Sequence, residues 1–146
     1  MLYLNKESIA KIDRNIIQNA VRQAYQLVLE KKFNMPDRMH VADKENMLLL
    51  MPCFSEKYFA TKLVSVFPEA GKYNMPAVNG VIVLCDNVTG KPLAFMDGAA
   101  VTAERTGAVG GLGEAGDRQG IPIDVGVVGE EAGRANQQRG VFVGRA

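Results

Sequence analysis

Two hydrophobic rhythms follow one another along this chain, and their order restricts the fold more than any other feature. Ile9, Ile12, Ile16, Ile17, Ala20, Val21, Ala24, Leu27 and Val28 recur at spacings of three and four, which places them on one face of a helix. From Arg38 to Asp97 the pattern changes to short runs rich in Val, Leu, Ile, Phe and Tyr, separated by Asp, Asn, Gly, Lys and Pro clusters. Such runs are strands, because β-branched and aromatic side chains pack well on a pleated surface. The spacing predicts a leading strand over residues 1–5 and further strands over 38–43, 47–53, 58–67, 78–86 and 91–97. Asp13 is a candidate cap for the main helix, the Lys31-Lys32 pair suits its C-terminal dipole, and Asn34 with Pro36 stops it. Asp86-Asn87-Val88-Thr89-Gly90 reads as a hairpin loop whose Gly90 supplies a positive φ. The expectation is an α+β lobe in which an amphipathic helix covers a mostly antiparallel sheet.

After Asp97-Gly98 the character changes. Twelve of the fifteen glycines lie from Gly98 onward and no lysine follows Lys91, so the last third obeys different packing rules from the first two. Alanines over residues 99–112 predict a short helix with Thr102, Arg105 and Thr106 near its start, although Gly107, Gly110 and Gly111 weaken it. Val125-Gly126-Val127-Val128-Gly129 is the one later run apolar enough for a buried strand, and no further strand of a βαβ unit follows it. The chain therefore divides into a lobe over 1–112 and a poorly packed segment over 113–146.

The formal charge is +1 with acids and bases interspersed, which gives no electrostatic basis for binding nucleic acid or an anionic membrane. No apolar run approaches the length of about 18 residues that a membrane span requires, and the N-terminus lacks the pattern of a secretory leader. Cys53 and Cys85 each sit inside an apolar run and read as buried thiols of a reducing compartment, which makes the cytoplasm the expected location. Small-molecule chemistry or a protein partner remains.

Within that space few residues can do chemistry. His40 is the single histidine; it stands in an alternating segment beside Arg38 and reads as a general base or, more simply, a structural strand residue. One histidine and two separated cysteines assemble neither a nucleophilic triad nor a metal site. Lys62 is more informative, because it interrupts the apolar run Tyr58-Phe59-Ala60-Thr61-Lys62-Leu63-Val64. It either points to solvent or serves a ligand; with Arg38 it can clamp a carboxylate, Arg giving a bidentate fork and Lys a point charge. Thr102-Ala103-Glu104-Arg105-Thr106-Gly107 sets hydroxyls, a guanidinium and free amides near a helix start, which suits a phosphate or carboxylate. Val125 to Gly133 resembles a strand entering a dinucleotide turn but departs from the fingerprint. If Gly129 is the first glycine, Glu131 and Arg134 occupy the places of the second and third, and Glu131 would repel a pyrophosphate.

Taken in order, Met35-Pro36-Asp37-Arg38-Met39-His40, Leu49-Leu50-Met51-Pro52, Lys62 through Pro68, Met75 through Gly80, Thr89 through Ala94 and Asp97 through Ala108 resemble the ornithine cyclodeaminase/μ-crystallin family over about residues 1–112. The resemblance implies an α/β protein in which this lobe is followed by a Rossmann dinucleotide-binding domain, here only its truncated start over 113–146, and in which the lobe's sheet builds a homodimer. It implies that Arg38, Lys62 and Arg105 hold the carboxylate of a small amino or imino acid, that Arg105, Thr106 and Gly129 contact NAD or NADP, and that no metal is involved. The implied chemistry is NAD(P)-dependent oxidation, reduction or cyclising deamination. The alternative is a non-catalytic lobe that dimerises and binds a small carboxylate. Leu49 stands where cyclodeaminases of the family carry a glutamate toward the substrate's distal amine, and Ala77 where a cofactor-contacting threonine is often found. The first departure points to a smaller or less polar substrate side chain than that of ornithine, and the second removes one polar contact to the cofactor.

Overall fold

A computed structural model describes residues 1–119, with side chains to Gly110. The strand β1 (Leu2–Leu4) opens the chain and is followed by helices α1 (Lys6–Ala10) and α2 (Arg14–Leu29). Strands β2 (Met39–Asp43), β3 (Asn46–Phe54) and β4 (Tyr58–Val66) follow, then a 3-10 helix Pro68–Tyr73, β5 (Val78–Asp86), β6 (Pro92–Asp97) and α3 (Gly98–Gln119). The strands form one sheet of six in the order β1-β6-β5-β4-β3-β2. Every pairing is antiparallel except that of β1 with β6, which is parallel. The fold is thus α/β with a mixed sheet, and its strands fall where the alternating runs placed them. Gly90 takes φ +71 in the β5–β6 loop, and Asp86 closes that loop by accepting bonds from the Val88 and Thr89 amides and the Thr89 hydroxyl.

The predicted single helix is in fact two. Asn5 caps α1 through the Ser8 amide and Asp13 caps α2 through the Asn15 amide, each offering a carbonyl or carboxylate oxygen to an otherwise unpaired N–H. Ile12 lies in the break between them and keeps the three-and-four rhythm running across it, which hides the interruption in the sequence. The helix also ends earlier than its lysines. Glu30 is the C-cap, Lys31 takes a positive φ, and Lys32 pairs with Glu30 rather than facing the helix end.

Register and the two-residue alternation of strands sort the sheet into two faces. On one face lie Leu4 and Met96, Ile82, Lys62 and Met51, with Ala94, Leu84 and Ala60 in the row alongside. Both long helices lie over this face, yet the layer is not closed. No residue of α2 is buried, and an apolar groove of about 550 Å³ runs between α2, Met96 and Val101 of α3. A second, of about 350 Å³, lies between α2 and Ala60, Leu84 and Cys53. The helix therefore covers the sheet, as its amphipathic pattern predicted, but roofs it loosely. The opposite face presents Tyr3, Phe95, Val83, Thr61, Leu63 and Leu50, none of them buried; Tyr3 stacks on Phe95 at 5.2 Å between centroids. Both cysteines are free, but only Cys85 is buried; Cys53 is partly exposed, short of the burial expected for both.

Contacts divide the chain after Val109, and the first unit, Met1–Val109, contains all the geometry described below. The strand expected over 125–129, with Gly129 and the altered dinucleotide turn, lies outside the described residues. Among those described, no helix is long and apolar enough to cross a membrane.

Candidate carboxylate site

Asp97 ends β6 and begins the site. Its carboxylate accepts from the Ala100 amide at 2.8 Å, an N-cap that starts α3 at Gly98. The helix thus begins four residues before Thr102. Only the first four amides of a helix lack a partner within it, so the free amides expected over Thr102 to Thr106 belong instead to the turn that Asp97 caps.

Gly98 explains how closely α3 approaches the sheet. A Cβ built on it would sit 2.7 Å from the carbonyl carbon of Gly80 and 2.9 Å from the Val81 nitrogen, distances that no side chain tolerates. With glycine on both sides, the first turn of α3 rests against β5. Beside that contact opens a cleft of about 520 Å³, walled by Val64, Val78, Asn79 and Gly80 of the sheet and by Ala99, Thr102, Thr106 and Gly107 of the helix. Lys62 is the one titratable side chain lining it among the described residues.

The Lys62 ammonium donates to the Thr102 hydroxyl at 2.7 Å, and that hydroxyl donates in turn to the Gly98 carbonyl oxygen at 2.5 Å. Burial, and then the guanidiniums of Arg105 and Arg38, hold the Lys62 pKa below the usual lysine range, since burial and like charges both penalise the protonated amine. Arg105 comes from the second turn of α3. Arg38 comes from the residue ahead of β2, where Met39 pairs with Leu50 and the next step of the register leads toward Met51, the partner of Lys62. Arg38 and Arg105 are exposed and Lys62 is half-buried; Lys62 lines the cleft, whereas Arg105 lines the apolar groove beside α2.

The structure thus brings Arg38 and Arg105 each within electrostatic reach of Lys62, and sets Thr106 on the wall of the cleft that Lys62 lines. Leu49 pairs with Val64, a wall residue, and with His40, which puts all three on the helix-facing side. His40 itself is exposed on the edge strand β2. What sequence reasoning missed is the acceptor role of Thr102. A hydroxyl four residues into a helix, above an interrupting lysine, is a signal only once the register of β4 and the start of α3 are known.

The model of the ornithine cyclodeaminase/mu-crystallin family matches residues 5–115, which covers β2 to β6 and the cleft. The chain belongs to that family. An alanine dehydrogenase of Archaeoglobus fulgidus is 33% identical over 106 residues, covering 73% of this chain and 32% of that protein. A Delta(1)-pyrroline-2-carboxylate reductase of Bacillus cereus is 37% identical over 78 residues, covering 52% of this chain and 24% of the relative. The ornithine cyclodeaminase/mu-crystallin chain described here therefore spans about a quarter to a third of the length of these curated relatives. Among solved structures, an archaeal alanine dehydrogenase dimer with bound NAD superposes with a TM-score of 0.68 at 32% identity, over 76% of this chain and 35% of that one. The Thermococcus litoralis Delta(1)-pyrroline-2-carboxylate reductase in complex with NADH and L-proline gives 0.67 at 34% identity, over 76% and 36%.

Proposed function

We propose that this chain is the carboxylate-binding lobe of an NAD(P)-dependent enzyme that oxidises a small amino acid or reduces the matching imino acid. The observation that carries this reading is the place of Lys62 on the wall of a cleft, where it is the one titratable lining side chain among the described residues and feels the guanidiniums of Arg105 and Arg38. The repulsion that the two guanidiniums exert on the Lys62 ammonium is relieved when an anion arrives, and a carboxylate suits a guanidinium fork and an ammonium together. Clamped there, the substrate's α-carbon has a fixed orientation, which converts an encounter into a positioned reaction. A nicotinamide, when bound, supplies or accepts the hydride at that carbon. Arg105 and Thr106, both exposed on α3, are the described residues placed to meet its phosphates, and Gly129 is the candidate contact beyond them. Leu49, on the helix-facing side beside Val64, favours a substrate with a short or apolar side chain over one with a distal amine.

The uncovered face of the sheet supports a homodimer. Tyr3, Phe95 and Val83 lie in one register row and Leu63 and Leu50 in another, with Thr61 between them on the same face; uncovered apolar side chains of this kind mark a protein interface, and the archaeal alanine dehydrogenase that this chain resembles is a dimer. The free thiols fit a cytoplasmic setting. A second reading, a lobe that dimerises and binds a carboxylate without turnover, is favoured by Glu131 and Arg134, which stand where a dinucleotide turn needs glycine.

Binding of NADH and NADPH to the purified chain, followed by fluorescence with and without a panel of amino and imino acids, tests both. Micromolar cofactor binding with amino-acid-dependent quenching is expected of the enzyme. A folded dimer that binds carboxylates but neither nucleotide establishes the second reading in its place.

A further inference from the structure

We propose that Thr102 is the positioning residue of the carboxylate clamp: its hydroxyl, turned by the Gly98 carbonyl, fixes the Lys62 ammonium at the wall of the cleft and leaves the remaining ammonium protons for the ligand. The proposal rests on the clamp reading above and adds to it a residue that holds no ligand atom itself.

A threonine hydroxyl has one proton to donate and lone pairs to accept with. In Thr102 that proton lies on the Gly98 carbonyl oxygen at 2.5 Å, so toward Lys62 the oxygen can only accept, and it does so at 2.7 Å. The contact bridges forty positions of sequence, from the middle of β4 to the second turn of α3. Its geometry is set from below by backbone alone: the close approach of Gly98 to Gly80 fixes the height of the helix over β5. A lysine stem carries four rotatable bonds, and an untethered ammonium would move away from Arg38 and Arg105 into solvent. Tethered to Thr102, it stays where the guanidiniums oppose it. The acceptor also offsets part of that opposition, because a hydrogen bond to the charged form favours that form.

The charged groups acting on Lys62 are Arg105 on α3 and Arg38 ahead of β2; the remaining lining residues, Val64, Val78, Asn79, Ala99 and their neighbours, do not titrate. Removing the Thr102 acceptor therefore has one expected direction, a further fall in the Lys62 pKa. A Thr102→Val change keeps the shape and deletes the acceptor, whereas Thr102→Ser keeps the acceptor.

The test measures two quantities on the full 146-residue chain and on its Thr102→Val, Thr102→Ser and Lys62→Met variants. One is the Lys62 titration midpoint, followed by side-chain NMR. The other is the affinity for pyrrole-2-carboxylate, a planar carboxylate probe. Thr102→Val should lower the midpoint and weaken binding about fivefold, the usual worth of one hydrogen bond, while Thr102→Ser stays near the parent in both. A fold that merely lost a packing contact would not move the midpoint of one lysine. If Thr102→Val leaves midpoint and affinity unchanged while Lys62→Met abolishes binding, the positioning role is overturned and the clamp stands. If Lys62→Met binds the probe as well as the parent, the clamp itself is overturned, and the substrate role of Thr102 with it.

Discussion

Gly98 and Gly80 meet backbone to backbone, so closely that a methyl group on Gly98 would lie within 3 Å of the Gly80 carbonyl carbon and oxygen. That contact sets the distance between α3 and β5, and through it the reach from Thr102 to Lys62.

A Gly98→Ala chain should accordingly lose stability by about 1–3 kcal/mol, the usual cost of forcing a group into a packed contact. Helix propensity alone would predict the reverse, since alanine is the better helix former. Chemical denaturation separates the two, and a gain in stability would mean that the contact yields freely.

Charge on Lys62 couples the fold to pH. Its folded-state pKa is lowered, by burial first and then by Arg105 and Arg38, so the unfolded chain holds this proton more tightly than the folded one. Stability should rise with pH between the lowered folded value and the ordinary lysine value near 10.5, and the penalty is fully present below that window. Lys62→Met should flatten this segment of the stability profile. Arg105→Met should shift the Lys62 midpoint upward, more than Arg38→Met does, following the order of the two influences.

Removing the Asp97 cap tests how firmly the start of α3 is held. Asp97→Ala leaves the Ala100 amide without its 2.8 Å partner and should cost about 1 kcal/mol. Hydrogen exchange should rise first at residues 98–101, and unchanged protection there would show that the sheet contact alone defines the helix start.

The uncovered sheet face predicts self-association. Leu50→Lys, on a strand in register with Met39 and Leu63, should convert a dimer to a folded monomer, read by sedimentation with circular dichroism unchanged. A dimer that survives this change is built elsewhere.

Much of this was legible in the chain because short β-branched and aromatic runs bounded by turn residues are a strong strand signal. The run Tyr58 to Val66 announced both its strand and its odd member, Lys62. The start of the main helix was legible in its cap, Asp13, but the separate helix α1 ahead of it was not, because Ile12 kept the apolar rhythm running across the break; nor was the 3-10 helix Pro68–Tyr73, whose signals are a proline at its start and a left-handed Asn74 at its end. The three cations were visible singly. Their convergence depends on the register that sets Met51 opposite Lys62 and on where α3 begins, which is decided by Asp97 and two glycines rather than by the alanine-rich stretch that follows.

The parallel pairing of β1 with β6 has a consequence for the order of assembly. The strands β2 to β6 join neighbour to neighbour through short connections, so each can pair as soon as the one before it is in place. Leu2, by contrast, finds Ala94 only after every other strand has emerged, and closing so long a loop is the slow, entropically opposed step. The residues of β1 are then the last to dock. With them waits α1, tied to β1 by Asn5, and until they arrive the edge of β6 that leads into the clamp helix stands open to any other strand that reaches it first.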